Sequence, residues 1–129
     1  MPLEWTQDLA VGIRQIDLQH QELIGIINEL DQAQGEASQA RALEEVLPRL
    51  SSYVLFHFGT EEAMMDRLPG PPPCVAKHFQ EHQRFAGEVA ALRGQNPSPA
   101  ELAAFVDYLK RWIVEHIMKT DREMAAYLR

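Results

Sequence analysis

Apolar residues recur along most of this chain at the three- and four-residue spacing of amphipathic helices. Four such stretches, separated by turn signals, predict helices over about residues 17–34, 38–68, 75–93 and 98–128. Mostly short connections between amphipathic helices favour antiparallel neighbours. The pattern therefore predicts an all-α fold, an up-down-up-down antiparallel four-helix bundle.

Local signals mark where these helices begin, end or are interrupted. Asp17 is a candidate cap for the first helix, and Gly35 stands where a left-handed residue commonly ends one. The stretch Ser98–Glu101 combines a capping-box pair with a proline at the first helical position. Pro48 lies inside the second helix, where a proline costs about 3 kcal/mol, so we expect a kink or a split there.

The remaining N-terminal residues, 1–16, form an arm before the bundle. They include Leu3, Trp5, Leu9 and Val11, which are too apolar to stay in water. We therefore expect the arm to pack along the outside of the bundle. A length of 129 residues predicts one domain, 1–129.

Composition excludes several classes of partner and location. The net charge of −7 argues against nucleic acid and anionic membranes. No apolar run approaches the roughly 20 residues that span a bilayer, so we expect no membrane insertion. The N-terminal residues lack the pattern of a signal peptide, and Cys74 has no second cysteine to pair with. These features predict a cytoplasmic protein.

The histidines fall on the apolar faces of the predicted helices, where polar side chains are unexpected. Residues four apart on a helix project into the same sector, as His57 and Glu61 do, and as His78 and His82 do. Every helix contributes at least one imidazole, and two carboxylates lie on or near the same faces. The complete set is His20, His57, Glu61, His78, His82, His116 and Asp121.

Seven buried polar side chains need a common partner. Each unmet buried hydrogen-bonding group costs about 1–3 kcal/mol, and a lone buried carboxylate is strongly disfavoured. A cation removes these costs together. Seven ligands exceed the four that zinc takes, whereas mixed nitrogen and oxygen ligands with two bridging carboxylates suit a pair of iron ions. The chain has no HExxH for a zinc protease, no Glu-x-x-His pair and no CxxCH.

One spacing does not fit a regular helix. His116 and Asp121 are five residues apart, which is about 140° around an α-helix. A single wide turn would direct both side chains to one centre, and such turns are frequent at functional sites. We therefore predict a wide turn within this segment.

Four segments together resemble the hemerythrin family, in particular its single-domain bacterial members. They are IDLQH (16–20), HFGTE (57–61), HFQEH (78–82) and HIMKTD (116–121), in the order and with the spacings of the family. The similarity covers nearly the whole chain, including the N-terminal arm. The resemblance implies reversible dioxygen binding at a non-haem di-iron centre with a bridging oxo or hydroxo group, for storage, delivery or sensing.

The resemblance also implies a role for each ligand. His78, His82 and His116 would hold one iron, His20 and His57 the other, and Glu61 and Asp121 would bridge the two. Dioxygen would bind at the iron with fewer ligands, in a shielded pocket. By similarity, the residues lining that pocket are Leu23, Phe58, Trp112, Ile113 and Ile117. No protein that accepts the oxygen is indicated.

Three other functions use the same predicted bundle. The first is a di-iron enzyme, an oxidase, a peroxidase or a nitric-oxide-handling protein, and the second is an iron-storage or iron-sensing protein. The third is a metal-free bundle that serves as an interaction module. Catalysis commonly needs an acid or base within reach of the substrate, and we find none on the inward faces beyond the seven ligands. The sequence therefore favours a non-catalytic oxygen-binding protein.

Overall fold

The computed structural model describes residues 2–33 and 38–128, and this part of the chain contains helices and no strand. The long helices are joined into four rods, two of which contain a widened turn. In chain order the elements are a 3-10 turn Gln7–Leu9, α1 Arg14–Gln32, α2 Gln39–Arg41, a π-helical turn Ala42–Val46, α3 Leu47–Asp66, α4 Cys74–Gly94, α5 Pro99–Glu115, a second π-helical turn His116–Asp121 and α6 Arg122–Leu128.

Four rods enclose one apolar core. They are formed by α1, by α2 with α3, by α4, and by α5 with α6. α1 packs against α3 and α5, α3 packs against α4, and α6 packs against both α3 and α4. Each rod places large side chains in the interior with no exposure to solvent, among them Leu30, Leu50, Val89 and Leu109. The predicted all-α four-helix bundle is confirmed. Within the described ranges, no helix is both apolar enough and long enough to cross a bilayer.

The first helix begins earlier than the sequence predicted, and the predicted cap is wrong. Ile13 is the residue that precedes α1, and it makes no side-chain cap. The Asp17 carboxylate instead accepts hydrogen bonds from the backbone N–H of Val11, at 2.8 Å, and of Gly12, at 3.3 Å. Gly12 has a φ of 88°, a left-handed conformation that turns the arm into the helix. The predicted end at Gln34 and the following Gly35 lie outside the described residues.

The interruption at Pro48 takes the form of a widened turn. Pro48 is the second residue of α3, and α3 directly follows the π-helical turn Ala42–Val46. A proline inside an α-helix lacks its N–H, and its ring meets the carbonyl four residues earlier. The wider turn accommodates both defects, and the backbone at Val46 and Leu47 stays in the right-handed helical region. The rod therefore continues through the proline without being split.

The start of α5 has the predicted capping box. The Glu101 N–H donates to Ser98 Oγ at 3.1 Å, and the Ser98 N–H donates to Glu101 Oε1 at 3.0 Å. Pro99 occupies the first helical position. These bonds satisfy two donors that the first turn of a helix otherwise leaves unpaired.

The N-terminal arm lies along the bundle, as the sequence predicted. Leu9 and Val11 are buried, and Trp5 packs against the core. The side chain of Asn28 makes two hydrogen bonds to the backbone of Leu3: its Oδ1 accepts at 2.8 Å, and its Nδ2 donates at 2.7 Å. The arm is therefore fixed by apolar packing and by a polar clamp from α1.

Candidate metal centre

The structure brings all seven predicted site residues together in the middle of the bundle. α1 contributes one side chain, α3 two, α4 two and the second π-helical turn two. None is more than 3% exposed. The residues are His20, His57, Glu61, His78, His82, His116 and Asp121.

The potential ligand atoms form two overlapping groups, and within each group all of them lie within 4.8 Å of one another. The three-histidine group comprises His78, His82, His116, Glu61 and Asp121. The two-histidine group comprises His20, His57, Glu61 and Asp121. The two carboxylates belong to both groups, as expected of bridging ligands.

Asp121 directs one oxygen to each group. Its Oδ1 lies 3.0 Å from His78 Nε2 and 3.1 Å from His116 Nε2. Its Oδ2 lies 3.0 Å from His20 Nε2. The second π-helical turn makes this arrangement possible, because its hydrogen-bond spacing of five residues brings Asp121 back beside His116. The predicted wide turn is confirmed.

Glu61 lies between the same two groups. Its Oε1 is 3.1 Å from His82 Nε2 and 3.6 Å from His57 Nε2, while its Oε2 is 3.8 Å from His20 Nε2. Burial and the nearby Asp121 carboxylate raise the pKa of Glu61 well above its usual value. Burial also works to raise the pKa of Asp121, but His116 and the other histidines outweigh burial and hold that pKa well below its usual value.

Nine buried polar atoms at this centre make no hydrogen bond of good geometry, although several of them lie 3.0–3.1 Å from one another: the Nε2 atoms of the five histidines and the four carboxylate oxygens. Two of the imidazoles, those of His57 and His82, are neutral at neutral pH. Burial lowers the pKa of His57 to about 3 and that of His82 to about 2, and neighbouring histidines contribute to both shifts. Neutral nitrogen donors and carboxylate oxygens facing one another are the ligands that a divalent transition metal requires. The residues present therefore fit a metal centre.

Hydrogen bonds behind His57 fix which of its nitrogens faces the centre. Thr60 Oγ1 donates to the Phe56 carbonyl, so it accepts from Gln19 Nε2 at 3.2 Å. Gln19 therefore turns its Oε1 to His57 Nδ1, 2.7 Å away. The proton must lie on Nδ1, which leaves the lone pair of Nε2 directed at the centre.

Carboxylates lie near the Nδ1 atoms of two histidines in the three-histidine group. Glu62 Oε2 lies 2.9 Å from His82 Nδ1, which again puts the proton on the outer nitrogen. Glu81 Oε1 lies 3.9 Å from His116 Nδ1, and Thr120 Oγ1 donates to the Glu81 carboxylate at 3.0 Å. Sequence reasoning found no acid on the inward faces beyond the seven ligands, and it missed these two because they lie outside those faces.

Gln19, Glu62 and Glu81 are each the chain neighbour of a candidate ligand on their own helix, and each lies near a histidine on another helix. Gln19 precedes His20, Glu62 follows Glu61, and Glu81 precedes His82. A residue next to an inward one is rotated by about 100° around the helix. It therefore points toward the adjacent helix, and a polar residue beside a ligand is the signal that could have found all three.

Aromatic rings pack on the histidines of the three-histidine group. Phe58 stacks on His82 with ring centroids 3.7 Å apart, and Trp112 stacks on His116 with centroids 4.3 Å apart. The other three residues predicted to line an oxygen pocket, Leu23, Ile113 and Ile117, have no exposure to solvent. Apolar side chains therefore make up part of the dry surroundings of the site.

Comparison with known proteins agrees with this geometry. A family model described as the hemerythrin HHE cation binding domain matches residues 11–128. A bacteriohemerythrin of Stenotrophomonas maltophilia is 34% identical, over 95% of this chain and 79% of its own length. A hemerythrin-like protein of Naegleria gruberi is 27% identical over 98% and 94%, and a myohemerythrin of Sipunculus nudus is 28% identical over 93% and 88%. The resemblance drawn from the sequence is confirmed, and the chain belongs to the hemerythrin family.

Proposed function

We propose that this chain holds two iron ions and binds dioxygen reversibly, without catalysing its further reaction. The single observation that carries the proposal is the set of nine buried nitrogen and oxygen atoms that converge on one centre without a well-formed hydrogen bond. His78, His82 and His116 would hold one iron, and His20 and His57 the other. Glu61 and Asp121 would bridge the pair, and together they supply two negative charges to a centre that has no other buried anion among the described residues.

The two iron positions differ in the number of protein ligands available to them. The three-histidine group offers five ligand atoms and the two-histidine group four. The two-histidine position would therefore have fewer protein ligands, and dioxygen would enter there. Two ferrous ions, when bound, supply the two electrons that dioxygen takes up and returns.

The protein's own contribution is to hold the ligands and to exclude water. Gln19 and Glu62 keep the lone pairs of His57 and His82 directed inward through the hydrogen bonds at their outer nitrogens. We assign Leu23, Phe58, Trp112, Ile113 and Ile117 to the walls of the oxygen pocket. A dry site slows the entry of water and protons, which would promote the irreversible oxidation of the iron by dioxygen.

The physiological role that follows is storage, delivery or sensing of oxygen in the cytoplasm. Dioxygen is the only ligand that the proposal requires. Binding of dioxygen at this centre requires neither a nucleic acid nor a membrane.

Iron analysis and optical spectroscopy of the full-length chain test the proposal. Protein from iron-replete cells is expected to contain two irons, and its reduced form, mixed with air, is expected to gain a long-lived visible charge-transfer band that disappears on removal of oxygen. The iron-free chain is the control and should show no band. Less than one iron per chain would contradict the proposal, and rapid loss of the band with substrate turnover would favour a di-iron enzyme.

A further inference from the structure

The two groups of the metal centre differ in the charge of the residues that lie next to the Nδ1 atoms of their histidines. In the three-histidine group, His82 donates its Nδ1–H to a carboxylate, Glu62 Oε2, at 2.9 Å. In the two-histidine group, the corresponding partner of His57 is the neutral amide of Gln19, at 2.7 Å. The two hydrogen bonds fix the proton on the same ring nitrogen, so charge is what distinguishes them.

The negative charge of Glu62 is not cancelled by a basic side chain. Among the described residues, no lysine or arginine nitrogen lies within 4.0 Å of its carboxylate, and its recorded ion-pair partner is His82. Its side chain is 36% exposed while that of His82 is 1% exposed. The charge therefore acts on the buried ring from the rim of the bundle.

A second carboxylate on the same side adds to the asymmetry. Glu81 lies 3.9 Å from His116 Nδ1 and is held by Thr120. Neither His116 Nδ1 nor His20 Nδ1, on the other side, makes a hydrogen bond, so the two differ only in that a carboxylate lies near His116. Glu61 and Asp121 belong to both groups, so the carboxylates that distinguish the groups are those outside this shared pair.

We propose that Glu62 is a positioning residue that acts through His82 to make the three-histidine group the tighter of the two metal positions. The inference rests on the proposed metal centre. A carboxylate that accepts from an imidazole raises the basicity of its metal-binding nitrogen, and it adds a negative charge close to the cation. Gln19 fixes the proton of His57 without adding that charge. The extra histidine favours the same position, so the contribution of Glu62 has to be isolated by substitution.

Competition with a chelator isolates this contribution. The full-length chain is loaded with Co²⁺ and exposed to increasing chelator, while bound cobalt is counted by elemental analysis and followed by its visible bands. The wild-type chain is expected to release cobalt in two steps. Glu62→Gln keeps an acceptor for His82 and removes the charge, so the tighter step alone should weaken, by about 10-fold to 100-fold.

Two substitutions of Gln19 serve as matched controls. Gln19→Ala removes the partner of His57 and should weaken only the looser step. Gln19→Glu gives the two-histidine group a carboxylate of its own and should tighten the looser step, which brings the two steps together. A merely structural effect of these substitutions would shift both steps in parallel.

The outcomes separate this inference from the proposed function. Two cobalt ions bound per chain, with a tighter step that Glu62→Gln leaves unchanged or weakens no more than the looser step, would overturn the role of Glu62 and leave the metal centre intact. Failure of the wild-type chain to bind cobalt or iron would overturn the metal centre and this inference with it.

Discussion

His116 Nε2 lies 3.1 Å from Oδ1 of Asp121, five residues further along the same segment. The two side chains meet because the backbone between them forms a π-helical turn. The same carboxylate reaches His20 on another helix with its second oxygen. One residue thus connects both groups of the candidate centre.

Removal of this connection should affect both metal positions, whereas removal of one histidine should affect one. Asp121→Ala is expected to lower the iron content below two per chain and to weaken both positions, because both groups lose a ligand. His57→Ala should weaken chiefly the two-histidine position, and Glu61→Ala should also lower the content below two. Iron analysis with chelator competition distinguishes the patterns. Two tightly held irons in Asp121→Ala would exclude this residue as a bridge.

Metal removal should destabilise the bundle. A metal that binds only the folded chain stabilises it by about 4 kcal/mol when its free concentration is a thousand times its dissociation constant. Without metal, the nine converging atoms make no well-formed hydrogen bond. Calorimetry of the iron-loaded and iron-free chains should therefore give a lower melting temperature for the iron-free form. Equal melting temperatures would contradict metal-linked stability.

Stability of the metal-free chain should fall as the pH falls below about 6.5. The pKa of His57 is lowered to about 3 and that of His82 to about 2, so the unfolded chain binds these protons first. The contribution of these two histidines to the free energy of unfolding is therefore fully present above the pKa that they have in the unfolded chain. It decreases toward acid by about 1.4 kcal/mol per pH unit for each such proton. Glu61 has the opposite effect, because its raised pKa makes the folded chain bind that proton before the unfolded chain does. It offsets one of the two histidine protons.

Urea unfolding between pH 7.5 and 4.5 measures that slope. The metal-free His57→Gln variant lacks one of the two lowered groups and is the matched control. It should show a shallower dependence on pH than the wild-type chain. A free energy of unfolding that rises toward acid in the wild-type chain would contradict the assignment of neutral, buried imidazoles.

The proposed pocket wall predicts a difference between two core substitutions of similar size. Leu23 and Leu102 both have no exposure to solvent. Leu23→Ala and Leu102→Ala should each cost about 2–5 kcal/mol in stability. Only Leu23→Ala is expected to shorten the lifetime of the oxygenated visible band, because it admits water to the site. Equal lifetimes in the two variants would remove Leu23 from the pocket.

The cap of α5 should contribute to stability without affecting metal binding. Ser98 accepts from the N–H of Glu101, and its replacement leaves that donor without its side-chain partner. Ser98→Ala is expected to cost about 1 kcal/mol, measured by urea unfolding. Its iron content should equal that of the wild-type chain, since Ser98 contributes no ligand atom.

The sequence by itself determined the direction of each ligand around its own helix. The spacing of His57 from Glu61, and of His78 from His82, follows from the geometry of a single helix and needs no knowledge of its neighbours. The capping box at Ser98 and the wide turn at His116–Asp121 are local in the same way, and the structure confirms both. The four ligand segments, taken together, were also sufficient to indicate the family.

Only the tertiary structure decided which residues support those ligands. Gln19, Glu62 and Glu81 each act across a helix–helix contact, and such contacts depend on how two rods are rotated and packed. Asp17 is a local exception: its carboxylate accepts from the backbone of Val11 and Gly12 just before α1, where the sequence predicted a helix cap. Periodicity fixes which face of a helix is buried, but the partner that a side chain meets on another helix is set by packing.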